Sequence, residues 1–143
     1  MCYSIYLSTD SNRDLSGENS DLLRFKQEKI DEPMRTLLQH EYQWYVGSKS
    51  GCSCTFRHLH STELGFGEPV DWYPEDEDEI AATLSFIEIV RRLVDQGHQL
   101  DCVDLWYGTK IDHVRYMKVD LKNITDEQFR FFENHYFIFT NEE

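Results

Sequence analysis

The first apolar residues alternate. Tyr3, Ile5 and Leu7 fall on one side of an extended segment and Cys2, Ser4, Tyr6 and Ser8 on the other, which predicts a strand over residues 2–8. Thr9 to Ser20 is polar and reads as a loop. Leu22-Leu23-Arg24-Phe25 fits either a short strand or the start of a helix. Asp31-Glu32-Pro33 then carries a helix-start signal, with Pro at the first helical position and Met34, Leu37 and Leu38 as the buried side of a short helix near 33–39.

Residues 42–47 hold β-formers without helical spacing, Ser48-Lys49-Ser50-Gly51 has turn chemistry, and 52–59 resume a strand-like run. The expectation is a β-hairpin with Gly51 supplying a positive φ. Ser61 to Tyr73 is irregular, with Phe66 bracketed by glycines and Trp72 and Tyr73 at its end, the make-up of a loop pinned to the core by aromatics. Beyond Pro74 the period changes. Ile80, Leu84, Ile87, Val90 and Val94, widened by Phe86 and Leu93, form the stripe of one principal helix over about 75–96, closed by Gly97.

Leu100 to Tyr107 alternates again, with Val103, Leu105 and Tyr107 opposite Cys102, Asp104 and Trp106, and Val114 to Leu121 follows as a strand expected to pair with it antiparallel. At the end of the chain two signals compete. Thr125-Asp126-Glu127-Gln128 fits a capping box, while Phe129-Arg130-Phe131-Phe132 and Tyr136 to Thr140 are dense in β-formers around Asn134-His135. β-propensity favours a hairpin there. The assembled expectation is a single α+β domain spanning 1–143, in two layers, with an antiparallel or mixed sheet and the 75–96 helix on one face.

Composition is consistent with such a core, since 143 residues with 40% hydrophobic and 14% aromatic side chains can fold without metal or disulfide support. A formal net charge of -13 sets the chain against nucleic acid and anionic membranes and makes a basic protein or a cation the better electrostatic match, although the plainer reading is that the charge keeps a small domain soluble. Met1 leads into Cys2-Tyr3-Ser4 without a basic leader, and no apolar run approaches the ~18 residues of a membrane span. A cytoplasmic location is expected. Four cysteines in such a chain do not read as a disulfide framework.

The run Glu75-Asp76-Glu77-Asp78-Glu79 lacks the pattern of a calcium loop, and acids in a first turn suit the positive end of a helix dipole. Asp101 and Asp104 are two among 27 carboxylates and carry no catalytic signal by themselves. No phosphate loop, dinucleotide fingerprint, H-E-x-x-H helix or G-x-S-x-G elbow is present. No metal and no cofactor is expected.

The chemically suggestive stretch is Cys52-Ser53-Cys54-Thr55-Phe56-Arg57-His58-Leu59-His60, and its candidate site is Cys52, Cys54, Arg57 and His58. On a regular strand Cys52, Cys54, Phe56, His58 and His60 would share a face. All four sulfur and imidazole groups could not hold one ion there, because positions 52 and 60 would be roughly 27 Å apart while ligands of one zinc lie within about 4 Å. A Cys52–Cys54 pair completed by Cys2 or Cys102 survives that test, while a Cys54/His58 nucleophile pair would need an accessible, low-pKa thiol within hydrogen-bonding reach of the imidazole, which the spacing does not show.

Val46-Gly47-Ser48 and Gly51-Cys52-Ser53-Cys54-Thr55-Phe56 resemble the V-G-S-x-x-G-C-x-C-x-F signature of a family of small bacterial proteins that begin with a short Cys-Tyr strand, here Cys2-Tyr3. The resemblance covers eleven residues and implies a similar outline: a helix, a Trp-containing strand and a strand-rich C-terminus. It implies no activity, cofactor or catalytic residue. Three function classes stand: a thiol or metal site around Cys52 and Cys54, a small enzyme using Cys54 and His58, and the favoured reading, a non-catalytic protein that contacts another protein or self-associates through a strand edge.

Overall fold

The computed structural model describes residues 3–27, 30, 34–49, 51–59, 62–63, 65–68, 70, 72 and 74–141, and the side chain of residue 111 is left aside. Expectations for Cys2, Pro33, Ser50, His60 and Tyr73 fall outside them. The architecture is α+β. Among the described residues the strands are β1 (Tyr3–Thr9), β2 (Leu23–Lys26), β3 (Tyr42–Ser48), β4 (His58–Leu59), β5 (Leu100–Trp106), β6 (Arg115–Asp120), β7 (Phe131–Phe132) and β8 (His135–Thr140), and the α-helices are α1 (Met34–Leu37) and α2 (Glu77–Asp95). Six strands form one mixed sheet in the order β2-β3-β1-β5-β8-β6, and β4 and β7 pair separately.

Alternation decides which side chains go to which face. Ile5, Leu7, Trp44, Val46, Leu100, Cys102, Phe137 and Phe139 join the buried cluster with Phe86, Ile87, Val90 and Leu93 of α2. On the opposite face Val103, Leu105 and Tyr136 are covered by Ile30, Leu37 and Leu38. The central strand β5 is therefore buried on both sides along most of its length. The α2 stripe is rotated from its sequence expectation. Ala82, Thr83, Phe86, Ile87, Ile89, Val90 and Leu93 are buried, while Ile80, Leu84 and Val94 are half-buried.

Three pairings differ from expectation, each for a topological reason. Residues 52–59 do not form the second arm of a hairpin, because β1 and β2 flank β3 on both sides and leave no edge free. Only His58 and Leu59 are extended, and they pair in parallel with Phe131 and Phe132. β5 and β6 do not pair with each other, since β8 lies between them, antiparallel to β5 and parallel to β6. β7 and β8 are joined by a turn with Asn134 at φ 58, but β7 leaves to meet β4, so no hairpin ladder forms. The competing capping box does form, with Thr125 and Gln128 closing a 3-10 turn over Asp126–Gln128.

Candidate functional site

The loop after β3 is built by close backbone approach. Gly51 takes φ +88, its amide donates to the Ser48 carbonyl at 2.8 Å, and the Ser48 amide donates to the Cys52 carbonyl at 2.7 Å. A Cβ on Gly47 would lie 3.0 Å from the Gly51 carbonyl oxygen. The buried Ser53 hydroxyl accepts from the Ile5 amide at 2.9 Å and donates to the Val46 carbonyl at 2.5 Å, which fixes the loop under β1 and β3. Cys52 and Cys54 on either side of it are half-buried reduced thiols, and Cys102 is a fully buried one. The structure thus places Cys52 and Cys54 in a turn rather than on the face of a strand.

Arg57 is structural. Its Nε and Nη2 donate to both oxygens of Glu75 at 2.7 and 3.0 Å, Nη1 donates to the carbonyls of Glu127 and Phe129, and Nη2 also donates to Gly67. Its amide donates to the Thr83 hydroxyl on α2 at 2.9 Å. The buried guanidinium therefore ties the loop before α2 to the turn before β7, and the Arg57 amide adds the helix itself. Planar geometry with five donors suits this task as lysine could not.

His58 lies flat against Tyr3, ring centroids 3.8 Å apart, with Phe131 at 5.7 Å and Phe56 at 6.4 Å. Nδ1 is 2.8 Å from Asp104 Oδ2, and Nε2 is 2.9 Å from the Ser53 carbonyl oxygen. A carbonyl can only accept, so Nε2 carries hydrogen; with Asp104 ionised Nδ1 carries one as well, and the ring is then an imidazolium. Burial pushes His58 down, but the Asp104 charge and hydrogen bond, the Ser53 carbonyl and the Glu79 charge outweigh it and hold the imidazole above its ordinary value. Burial pushes the Asp104 carboxyl up against the pull of His58. With both ring nitrogens engaged, His58 has none to offer the Cys54 thiol as a base. Among the described residues Asp104 Oδ1 is buried without a hydrogen bond.

The second buried carboxylate of β5 faces the other way. Asp101 accepts from the hydroxyls of Ser8 and Tyr136 and, at 2.8 Å, from the Gln39 amide. The His40 amide in turn donates to Ser8 Oγ at 3.2 Å. Burial, then the hydrogen bond and charge of Asp101, raise the Tyr136 phenol well above its ordinary value. Sequence reasoning passed over Asp101 and Asp104 as common acids. Their signal was position: in Leu100-Asp101-Cys102-Val103-Asp104-Leu105 the acids interrupt an apolar run, and a strand covered on both faces must bury them.

The acidic run resolves into separate tasks. Glu75 holds Arg57, Asp76 and Glu79 form the capping box of α2, and Asp78 pairs with Lys49 at 2.7 Å on the surface. Among the described residues no three His, Cys, Asp or Glu side chains converge to hold a metal ion, and no helix is long and apolar enough to cross a membrane. His60 and Cys2, part of the metal reading, lie outside those residues. No family model, no curated protein and no solved structure matches the chain.

Proposed function

We propose that the chain is a non-catalytic binding protein that takes up an extended acidic segment of another protein along the outer edge of β6. The observation that carries this reading is the chemistry of that edge. No described strand lies beyond β6, and Tyr116 on it is 72% exposed beside Ile138 of β8 at 45%. The Arg115 amide donates inward to Asn134 and the Leu121 amide inward to Thr140. Alternate residues in a parallel ladder point both backbone groups the same way, so Tyr116, Lys118 and Asp120 direct theirs outward. An incoming strand would hydrogen-bond those groups and read Tyr116 and Lys118 with its side chains.

Charge selects the partner. Between positions 110 and 122 the sequence holds Lys110, Arg115, Lys118 and Lys122 against Asp112 and Asp120, a local excess of positive charge in a chain of net charge -13. Overall charge favours a basic partner at long range, but the contact edge itself favours carboxylates. A second copy pairing by its own β6 about Lys118 would set lysine against lysine, which is unfavourable.

Selection from a displayed library of linear peptides tests this. Acid-rich sequences are expected, with binding that weakens as salt rises and is lost in Lys118→Pro, which removes an outward N–H and leaves the ladder to β8 intact. Enrichment of basic or charge-indifferent sequences, or full binding by the folded Lys118→Pro protein, would overturn it.

A further inference from the structure

A groove of about 660 Å3 opens where the end of α2, the start of β5, the end of β8 and the Gln39-His40 segment meet. That volume lies within the range of small-molecule sites. Ile138 and Tyr136 line it on the face of the sheet that carries Asp101, and Val94, Leu100 and Phe139 border it from the α2 face. Asp101 is 1% exposed, and its three donors, the Ser8 and Tyr136 hydroxyls and the Gln39 amide, are all neutral. No Lys, Arg or His among the described residues pairs with it. Neutral donors stabilise a carboxylate without cancelling its charge, and a carboxylate offers about four lone-pair sites, so both charge and acceptor capacity remain.

We infer that this groove binds a small organic amine, its ammonium directed toward Asp101 and its carbon skeleton laid on Ile138 and Tyr136, which share that face of the sheet. An anion would meet the buried carboxylate and the field of a chain at net charge -13. A neutral ligand would gain the apolar wall but leave the Asp101 charge uncompensated. Lys118 shares a cross-strand row with Asp101, separated from it by Ile138, so the opposite charge sits at the rim rather than on the floor. This inference stands apart from strand addition at β6, and each can fail alone.

The experiment compares benzylamine, benzyl alcohol and benzoate, which share a ring and differ in charge, by 1H–15N chemical-shift titration of the full chain. The amine should shift the amides of Gln39, Leu100 and Ile138 in a saturable way, and bind at least about tenfold more tightly than the alcohol or the acid. Asp101→Asn should remove that preference. Should Asp101→Asn fail to fold, Ile138→Arg provides the second variant, since its exposed side chain can be replaced without emptying the core, and it should abolish amine binding. Equal binding of alcohol and amine, preference for benzoate, shifts confined to other surfaces, or unchanged amine binding in Ile138→Arg would each overturn the inference.

Discussion

Arg57 and Glu75 form a two-pronged ion pair inside the protein, Nε to Oε2 at 2.7 Å and Nη2 to Oε1 at 3.0 Å, with side chains 2% and 7% exposed. Arg130 adds a second guanidinium 3.8 Å from Glu75 Oε1. Glu75 thus lies against two buried guanidinium groups. Removing one partner of a buried pair costs more than the pair contributes, because the remaining charge is left without compensation. Glu75→Gln is expected to destabilise the fold by roughly 3–5 kcal/mol. Asp78→Asn, which breaks only the exposed pair with Lys49, should leave stability close to that of the native chain. Urea unfolding of the two variants separates a buried clamp from a helix-dipole effect, and equal small losses would remove Arg57 from its structural role.

That pair also marks where the sequence was legible and where it was not. The principal helix could be read from spacing because its buried side is a local repeat, and its observed limits fall within two residues of those expected. The strands of residues 3–9 and 100–106 were visible from alternation in the same way, and that of residues 42–48 from its β-formers without helical spacing. Strand partners were not, because pairing depends on which edge is already occupied. β3 is flanked on both sides, so the apparent hairpin arm after Gly51 had nowhere to add. The roles of Arg57 and His58 were hidden likewise: Glu75, Asp104 and Ser53 reach them through topology, and no spacing rule brings position 58 to position 104.

Stability should carry the imprint of the His58–Asp104 pair in its pH dependence. Burial opposes the charge on His58, yet Asp104 and the Ser53 carbonyl outweigh it, so the folded imidazole holds its proton more tightly than the unfolded one. Folding takes up a proton through His58, and the resulting stability is fully present below about pH 6.5 and is lost as pH rises through the higher folded value. Asp104, also raised, contributes in the same direction but in the acid range, from about pH 3.8 upward. The difference in melting temperature between the native chain and His58→Gln should therefore shrink as pH increases from 6.5. A gap that is constant or widens with pH would mean that His58 is neutral and that Asp104 supplies the shared proton.

Gly47 offers a test of the loop itself. A methyl group there would press on the Gly51 carbonyl oxygen at 3.0 Å, and both atoms are tied to the backbone of a hydrogen-bonded turn. Gly47→Ala should cost roughly 1–3 kcal/mol through overpacking. Gly51→Ala meets no atom within 4 Å, but its φ of +88 strains an alanine by about 1–2 kcal/mol. Thermal unfolding of the two variants tells steric from conformational cost: the first should also shift amides of residues 48 to 53, and a silent spectrum for Gly47→Ala would show that the turn gives way freely.

The thiols should react in an order set by burial. Cys102 lies at the centre of the sheet between two buried acids, and burial, then the charges of Asp101 and Asp104, push its thiol well above the ordinary value. Thiolate is the reactive form, so Cys102 is protected both by lack of access and by lack of ionisation. Cys52 and Cys54 sit half-buried in the turn after β3, where a reagent can reach them without opening the sheet. Native alkylation followed by peptide mass spectrometry should label Cys52 and Cys54 first, with Cys102 modified only at the rate of global unfolding and accelerated by urea in step with it. Labelling of Cys102 as fast as Cys54 would mean that β5 opens locally, and would remove the rigid central strand on which both buried carboxylates depend.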